Sequence, residues 1–163
     1  MVYSVTKFRQ NDLMCVVPQN AQEIAATELD RMAKLVDFTH AWTLRRRSAP
    51  IACGGVQVLW KGNADAWTFV DRSMTSADLL HLTRFLLEMI DVLHVRLGLR
   101  RLGATTIADW SPGERWLQRL GFQAEGVLRC FDAQGRDHRI YSRIWPSCPS
   151  LPASSARPLL LAV

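Results

Sequence analysis

One long stretch of the sequence, residues 75–97, constrains the fold more than any other feature. Its apolar residues recur every three or four positions, which predicts a helix with one broad buried stripe. The stripe consists of Leu79, Leu82, Leu86, Ile90, Leu93 and Leu97. Gly98 suits the position just after a helix. Short strand candidates flank the helix at 67–70 and 101–108. A helix between two strands of one sheet makes them parallel, with a right-handed crossover.

The rest of the chain up to residue 145 divides into further strands and helices. Alternating and β-branched runs predict strands at 2–8, 41–47, 51–60, 123–132 and 137–145, with turns at 48–50, 61–65 and 132–136. Helices are predicted over 19–36 and over 113–120, the second capped by Ser111 with Pro112 at the first helical position. We expect residues 1–145 to form an α/β (α+β) domain with a mixed, bent central sheet and helices on both faces.

The C-terminal segment, residues 146–163, has a different composition. It is rich in proline and serine and ends in the apolar run 159–163. Proline breaks helices and central strands, so we expect an extended arm outside the domain. Its apolar end predicts docking on another protein or, in a homo-oligomer, on a neighbouring subunit.

Composition and charge exclude several classes of protein. The net charge of +5 favours an anionic ligand, but no lysine-rich block points to nucleic acid. No run approaches the roughly 18 apolar residues of a membrane span, and the first residues do not resemble a signal peptide. We therefore expect a cytoplasmic protein without membrane contact. The four cysteines and four histidines lack the close spacing of ligand pairs, so no metal site is predicted.

The most specific motif is the stretch 115–129, which reads RWLQRLGFQAEGVLR. It resembles the last helix, the Leu-Gly-Phe junction and the following strand of the GNAT N-acetyltransferase superfamily. Within that superfamily, its Arg-Trp-Leu and Leu-Gly-Phe segments are similar to short acetyltransferase-like proteins of tailed phages. The order of predicted elements over residues 2–145 agrees with the resemblance.

The resemblance implies acetyl-CoA as cosubstrate, bound where two parallel strands splay apart. Its pyrophosphate would lie on backbone N–H groups at the start of the long helix, where the helix dipole is positive. The matching residues here are Val70, Arg72, Thr75, Ser76 and Ala77. Thr75 replaces the central glycine of the family's loop, and Asp78 adds a negative charge. Alternatively, Thr75 and Asp78 form a capping box on a core helix.

The resemblance also implies a base for the acceptor amine and an acid for the leaving thiolate. The family's acid is usually a tyrosine, four residues before the glycine of Gly-Phe, where this chain has Leu117. The candidates that remain are Asp71 and Glu114 as base and Tyr141 as acid. Each has a structural alternative, which is a strand end for Asp71, a helix start for Glu114 and sheet packing for Tyr141.

Two functions from different classes follow. The first is an acyl-CoA-dependent N-acyltransferase that acetylates an unidentified amine acceptor. The second is a catalytically inactive GNAT-fold structural or interaction protein, such as a virion or assembly component of a phage or prophage. Loss of the loop glycine and of the tyrosine favours the second.

Overall fold

The structure, a computed structural model, describes residues 2–22 and 38–145. Most of the helix predicted over 19–36 lies outside the described residues, as does the C-terminal arm. The described part of that prediction, Asn20–Gln22, is a short 3-10 helix rather than an α-helix. A second 3-10 helix, Phe38–His40, precedes the second strand.

In the described part of the chain, seven strands form one mixed sheet in the order β1-β2-β3-β4-β5-β7-β6. Their bounds are β1 Tyr3–Lys7, β2 Ala41–Arg46, β3 Ala49–Trp60, β4 Asn63–Val70, β5 Arg101–Ile107, β6 Gln123–Leu128 and β7 His138–Ile144. The β4–β5 pair is parallel, and the other neighbouring pairs are antiparallel. The expected α/β class and the parallel crossover are therefore confirmed.

Within residues 2–22 and 38–145, three α-helices accompany the sheet: α1 Gln10–Cys15, α2 Ser76–Leu97 and α3 Ser111–Arg119. The long helix α2 is the predicted crossover between β4 and β5. Thr75 and Asp78 form the predicted capping box, and Gly98 ends the helix with φ 58°. Among the described residues, no helix has both the length and the apolar character needed to cross a membrane.

The two faces of the sheet carry separate hydrophobic clusters, because side chains alternate along each strand. The larger cluster packs the sheet against α2 and α3, with Leu82, Leu86 and Leu117 among its members. The smaller cluster lies on the other face, where Leu13 of α1 packs with Phe8 and its neighbours. Helices therefore lie on both faces, as expected.

Several predicted boundaries were wrong. The turn placed at 61–65 is shorter, since β3 ends at Trp60 and β4 begins at Asn63, which leaves Lys61 and Gly62 for the tight reversal. Gly62 has φ 83°, a conformation that glycine adopts without strain. The turn at 48–50 is likewise shorter, because β3 begins at Ala49. Helix α1 was not predicted; six residues are too few for a visible helical period.

Two other corrections concern the C-terminal half. Ser111 is the first residue of α3 rather than its cap; Trp110 takes the N-cap position without a side-chain hydrogen bond. The strand predicted over 123–132 ends at Leu128. Beyond it, Cys130 adopts φ 48°, which no strand accommodates.

Candidate active site

The parallel strands β4 and β5 separate after a short junction. They pair only at Asn63–Arg101, Ala64–Leu102 and Asp65–Gly103. Beyond this junction, β4 continues to pair with β3, and β5 continues to pair with β7. An opening therefore lies between residues 66–70 of β4 and residues 104–107 of β5, in the middle of the sheet.

A cleft of about 420 Å³ occupies this opening. On one face of the sheet its lining comes from α2 and α3, including Leu86, Ile90 and Leu117. On the other face it comes from Trp67 and Phe69 of the smaller cluster. Because the lining includes residues from both clusters, the cleft passes through the sheet and joins its two faces.

Aromatic side chains make up much of the lining. They are Trp42, Trp67, Phe69, Trp110, Trp116, Phe122 and Phe131. The indole nitrogen of Trp67 is buried and has no hydrogen-bond partner among the described residues. A buried donor without a partner costs free energy, so a ligand acceptor at this point would be stabilising.

The predicted cofactor residues surround the start of α2. Val70 is buried at the end of β4, whereas Arg72, Thr75, Ser76 and Ala77 are exposed. Ser76 and Ala77 are the first two residues of the helix, and N–H groups there have no acceptor within it. None of these five residues is among the described residues that line the cleft.

Asp78 faces inward rather than toward a ligand. Its carboxylate is fully buried and accepts hydrogen bonds from the Tyr3 hydroxyl at 2.7 Å and from the Thr75 main chain at 2.8 Å. Arg46 of β2 forms an ion pair with it at 2.6 Å. Burial opposes ionisation, but these partners outweigh it and lower the pKa of Asp78. The Arg46 guanidinium therefore compensates the negative charge of Asp78 at the start of α2.

Asp71 holds the end of β4 in place. Its two carboxylate oxygens accept main-chain hydrogen bonds from Val17 and Ser73, both at 2.8 Å. Burial would raise the pKa of Asp71, but these donors outweigh it and lower the pKa below the usual aspartate value. A carboxylate with both oxygens engaged is a poor proton acceptor, so this geometry favours a structural role.

Glu114 and Tyr141 also lie outside the cleft lining. Glu114 Oε1 lies 2.9 Å from Arg139 Nε in an ion pair between α3 and β7. Tyr141 is 1% exposed within the larger cluster, and burial, together with the charge of Glu114, raises its pKa. The described residues that line the cleft include neither of them, nor Asp71.

Leu117 does line the cleft, from helix α3. It stands where the resemblance places a tyrosine, and leucine has no proton to donate. The next residue toward the N-terminus, Trp116, donates its indole N–H to the Thr83 hydroxyl at 2.9 Å and so ties α3 to α2.

Among the cleft-lining residues that the sequence interpretation missed are Asp132 and His138. Asp132 was assigned to a turn and His138 to a scattered set of histidines. The available signal was their separation by only six residues across a hairpin connection, which brings the two side chains together.

The sequence matches no family model and no curated protein. Solved structures do match. The ribosomal-protein-S18-alanine N-acetyltransferase of Escherichia coli has a TM-score of 0.70 at 18% identity, covering 93% of this chain and 99% of that one. Ard1 from Thermoplasma volcanium has a TM-score of 0.70 at 11% identity, covering 88% and 98%. A GNAT-family acetyltransferase from Bacillus anthracis has a TM-score of 0.65 at 10% identity, covering 87% and 94%.

These matches establish the fold: the chain folds as GNAT acetyltransferases do. The fold implied by the sequence motif is thereby confirmed. The finer resemblance to phage proteins receives no support from them.

Proposed function

We propose that the protein is an acyl-CoA-dependent N-acyltransferase that transfers an acetyl group from acetyl-CoA to an amine. The observation that carries this proposal is the cleft through the opening between β4 and β5. A channel that joins both faces of a sheet lets two substrates approach from opposite sides and meet inside, where water is excluded.

In this proposal the pyrophosphate binds beside the start of α2, at the N–H groups of Ser76 and Ala77. Arg72 precedes them on an exposed segment and supplies a positive charge. The helix dipole favours an anion there, and Arg46 compensates the charge of Asp78. The main chain of Val70 and the side chain of Thr75 complete the binding site in this proposal.

Calorimetric titration with acetyl-CoA tests the proposal. Arg72→Ala should weaken binding by roughly 1–3 kcal/mol, about 5- to 150-fold in Kd, because a charge-assisted hydrogen bond to phosphate is lost. Arg129→Ala is the matched control: Arg129 is also exposed but lies after β6, outside the cleft lining. Equal affinity in wild-type protein and Arg72→Ala would separate this loop from cofactor recognition. Failure of the wild-type protein to bind acetyl-CoA would overturn the proposed function.

The second candidate is a GNAT-fold protein that binds a partner without acyl transfer. Leu117 favours it, since the cleft has leucine where the resemblance expects a proton donor. In its finer form, as a virion or assembly component, this candidate depends on the sequence resemblance alone. The arm, residues 146–163, would supply the contact with another copy of the chain.

The arm can be tested in the full-length chain. Leu160→Asp combined with Leu161→Asp should lower the mass measured by light scattering to that of a monomer, because charged residues are costly to bury in an apolar contact. Ser154→Asp combined with Ser155→Asp adds the same charge outside the apolar run and should leave the mass unchanged. A wild-type protein that is already monomeric would contradict self-association through the arm.

A further inference from the structure

His138 lies on the sheet face opposite α2 and α3. It is the first residue of β7 and pairs with Ile107 of β5. Tyr141 of the same strand belongs to the larger cluster, and a residue three positions away points to the other face. His138 therefore lines the cleft from the face that carries Trp67 and Phe69.

The imidazole of His138 forms a pair with Asp132. Its Nε2 lies 3.2 Å from Asp132 Oδ2. Its Nδ1 is buried and has no hydrogen-bond partner in the part of the chain that the structure describes. The Phe131 ring lies against the imidazole with 5.0 Å between ring centroids.

Asp132 is itself held in place by the connection between β6 and β7. Its Oδ1 accepts main-chain hydrogen bonds from Gln134 at 3.0 Å and Arg136 at 2.8 Å, and its Oδ2 pairs with the Arg136 side chain. Burial would raise the pKa of this carboxyl, but the donors of Arg136 and His138 outweigh it and lower the pKa to about 2. Asp132 therefore stays ionised throughout the physiological range.

An ionised carboxylate can only accept hydrogen bonds, so the imidazole nitrogen beside it must carry the proton. In the neutral ring this places N–H on Nε2 and the lone pair on Nδ1. The lone pair is then a buried acceptor without a donor, which an N–H of an incoming amine would satisfy. A carboxylate that orients a histidine in this manner is a recurrent arrangement for proton transfer.

We infer that His138, oriented by Asp132, is the general base that takes the proton from the acceptor amine, which places the acceptor on the face of Trp67 and Phe69. This inference rests on the proposed N-acyltransferase function. His138 is the catalytic residue and Asp132 the positioning residue. Asp71 and Glu114, by contrast, already have partners outside the cleft.

The step balances without a further reactant. His138 Nδ1 first takes one proton from the protonated amine, and the imidazolium is stabilised by Asp132. The nitrogen lone pair freed in this way attacks the thioester carbonyl carbon and forms the C–N bond, and the nitrogen then loses a second proton to solvent. The C–S bond then breaks, and the electron pair leaves with the thiolate of CoA. Solvent protonates the thiolate and removes the proton from His138, so the products are the N-acetylated amine and CoA.

The test uses the full-length protein, acetyl-CoA and a fixed panel of primary amines: an alanine-terminated peptide, a lysine peptide, phenethylamine and spermidine. Release of CoA thiol gives kcat/KM, and calorimetry gives the Kd of acetyl-CoA. His138→Gln should lower kcat/KM by about 100-fold or more, with the Kd of acetyl-CoA unchanged. Asp132→Asn should lower kcat/KM less than His138→Gln does, because the His138 imidazole is still present as a base but is no longer oriented by a carboxylate.

The pH profile separates base catalysis from a structural role. The deficit of His138→Gln should shrink as the pH rises toward the pKa of the amine, about 8 to 10, because a free amine needs no base. Among the described residues, two charged side chains lie beside this histidine: Asp132 contacts the His138 ring, and Arg136 contacts the Asp132 carboxylate.

His40→Gln is the control variant, because it removes a histidine outside the cleft lining and should behave as wild type. Circular dichroism checks folding, and His138→Asn repeats the test with a shorter amide.

The outcomes are distinct. A His138→Gln rate equal to wild type, or a deficit that is constant with pH, overturns the inference and leaves the proposed function standing. Wild-type protein that binds acetyl-CoA but acetylates no amine of the panel overturns the inference together with transfer activity. Wild-type protein that does not bind acetyl-CoA overturns the proposed function and, with it, the inference.

Discussion

Replacing Asp78 by alanine should lower the free energy of unfolding by about 3–5 kcal/mol, the typical cost of removing one member of a buried ion pair. The substitution leaves Arg46 without its counter-ion and Tyr3 without its acceptor. It also removes half of the capping box that begins α2. Chemical denaturation measures the change.

Glu88→Ala is the matched control for this prediction. Glu88 is an exposed carboxylate on the same helix, so its loss should change stability by no more than about 0.5 kcal/mol. Equal effects of the two substitutions would show that the buried contacts of Asp78 contribute little.

The Asp78 contribution should also depend on pH in a definite direction. Its pKa is lower in the folded chain than the ordinary value of 3.8. Stability from such a group is fully present above the unfolded pKa and is lost as the pH falls through the folded pKa. The difference in stability between wild type and Asp78→Ala should therefore be largest near neutral pH and shrink in acid. A difference that is constant down to strongly acidic pH would contradict this.

Leu102→Ala should lower the free energy of unfolding by about 2–5 kcal/mol, because the chain cannot collapse fully around the cavity that it leaves. Leu102 is fully buried and faces Ala64 in the short parallel junction, next to the opening. It also lines the cleft, so the substitution should enlarge the binding volume. Thermal and denaturant unfolding measure the first effect, and acetyl-CoA calorimetry measures the second.

Leu59→Ala provides the comparison, since Leu59 is 44% exposed and lies outside the cleft lining. Its loss should change stability by about 0.5 kcal/mol or less. If Leu102→Ala were no more costly than Leu59→Ala, the packing of the junction would not matter for stability.

The sequence predicted the fold well where one physical signal dominated. The stripe of α2 and the short strands beside it determine a parallel crossover, because a chain cannot connect such elements in many ways. It failed where the signal was short or depended on contacts distant in sequence. Helix α1 is too brief for its period to be visible, and two residues, Lys61 and Gly62, make a turn for which five residues were predicted.

The site was less predictable than the fold. The motif pointed to the start of α2, but the partnership of Asp78 with Arg46 joins residues 32 positions apart and left no local pattern. Asp132 and His138 are close in sequence, yet their significance depends on the cleft, which exists only once β4 and β5 have separated.

That separation has a mechanical consequence. Three residue pairs are the only strand-to-strand link in the described sheet between the half formed by β1–β4 and the half formed by β5–β7. A ligand bound between the halves would hydrogen-bond to the free edges of β4 and β5 and so extend the strand-to-strand hydrogen bonding. Its binding free energy would then add to the cohesion of the domain, so occupancy and resistance to unfolding would rise together.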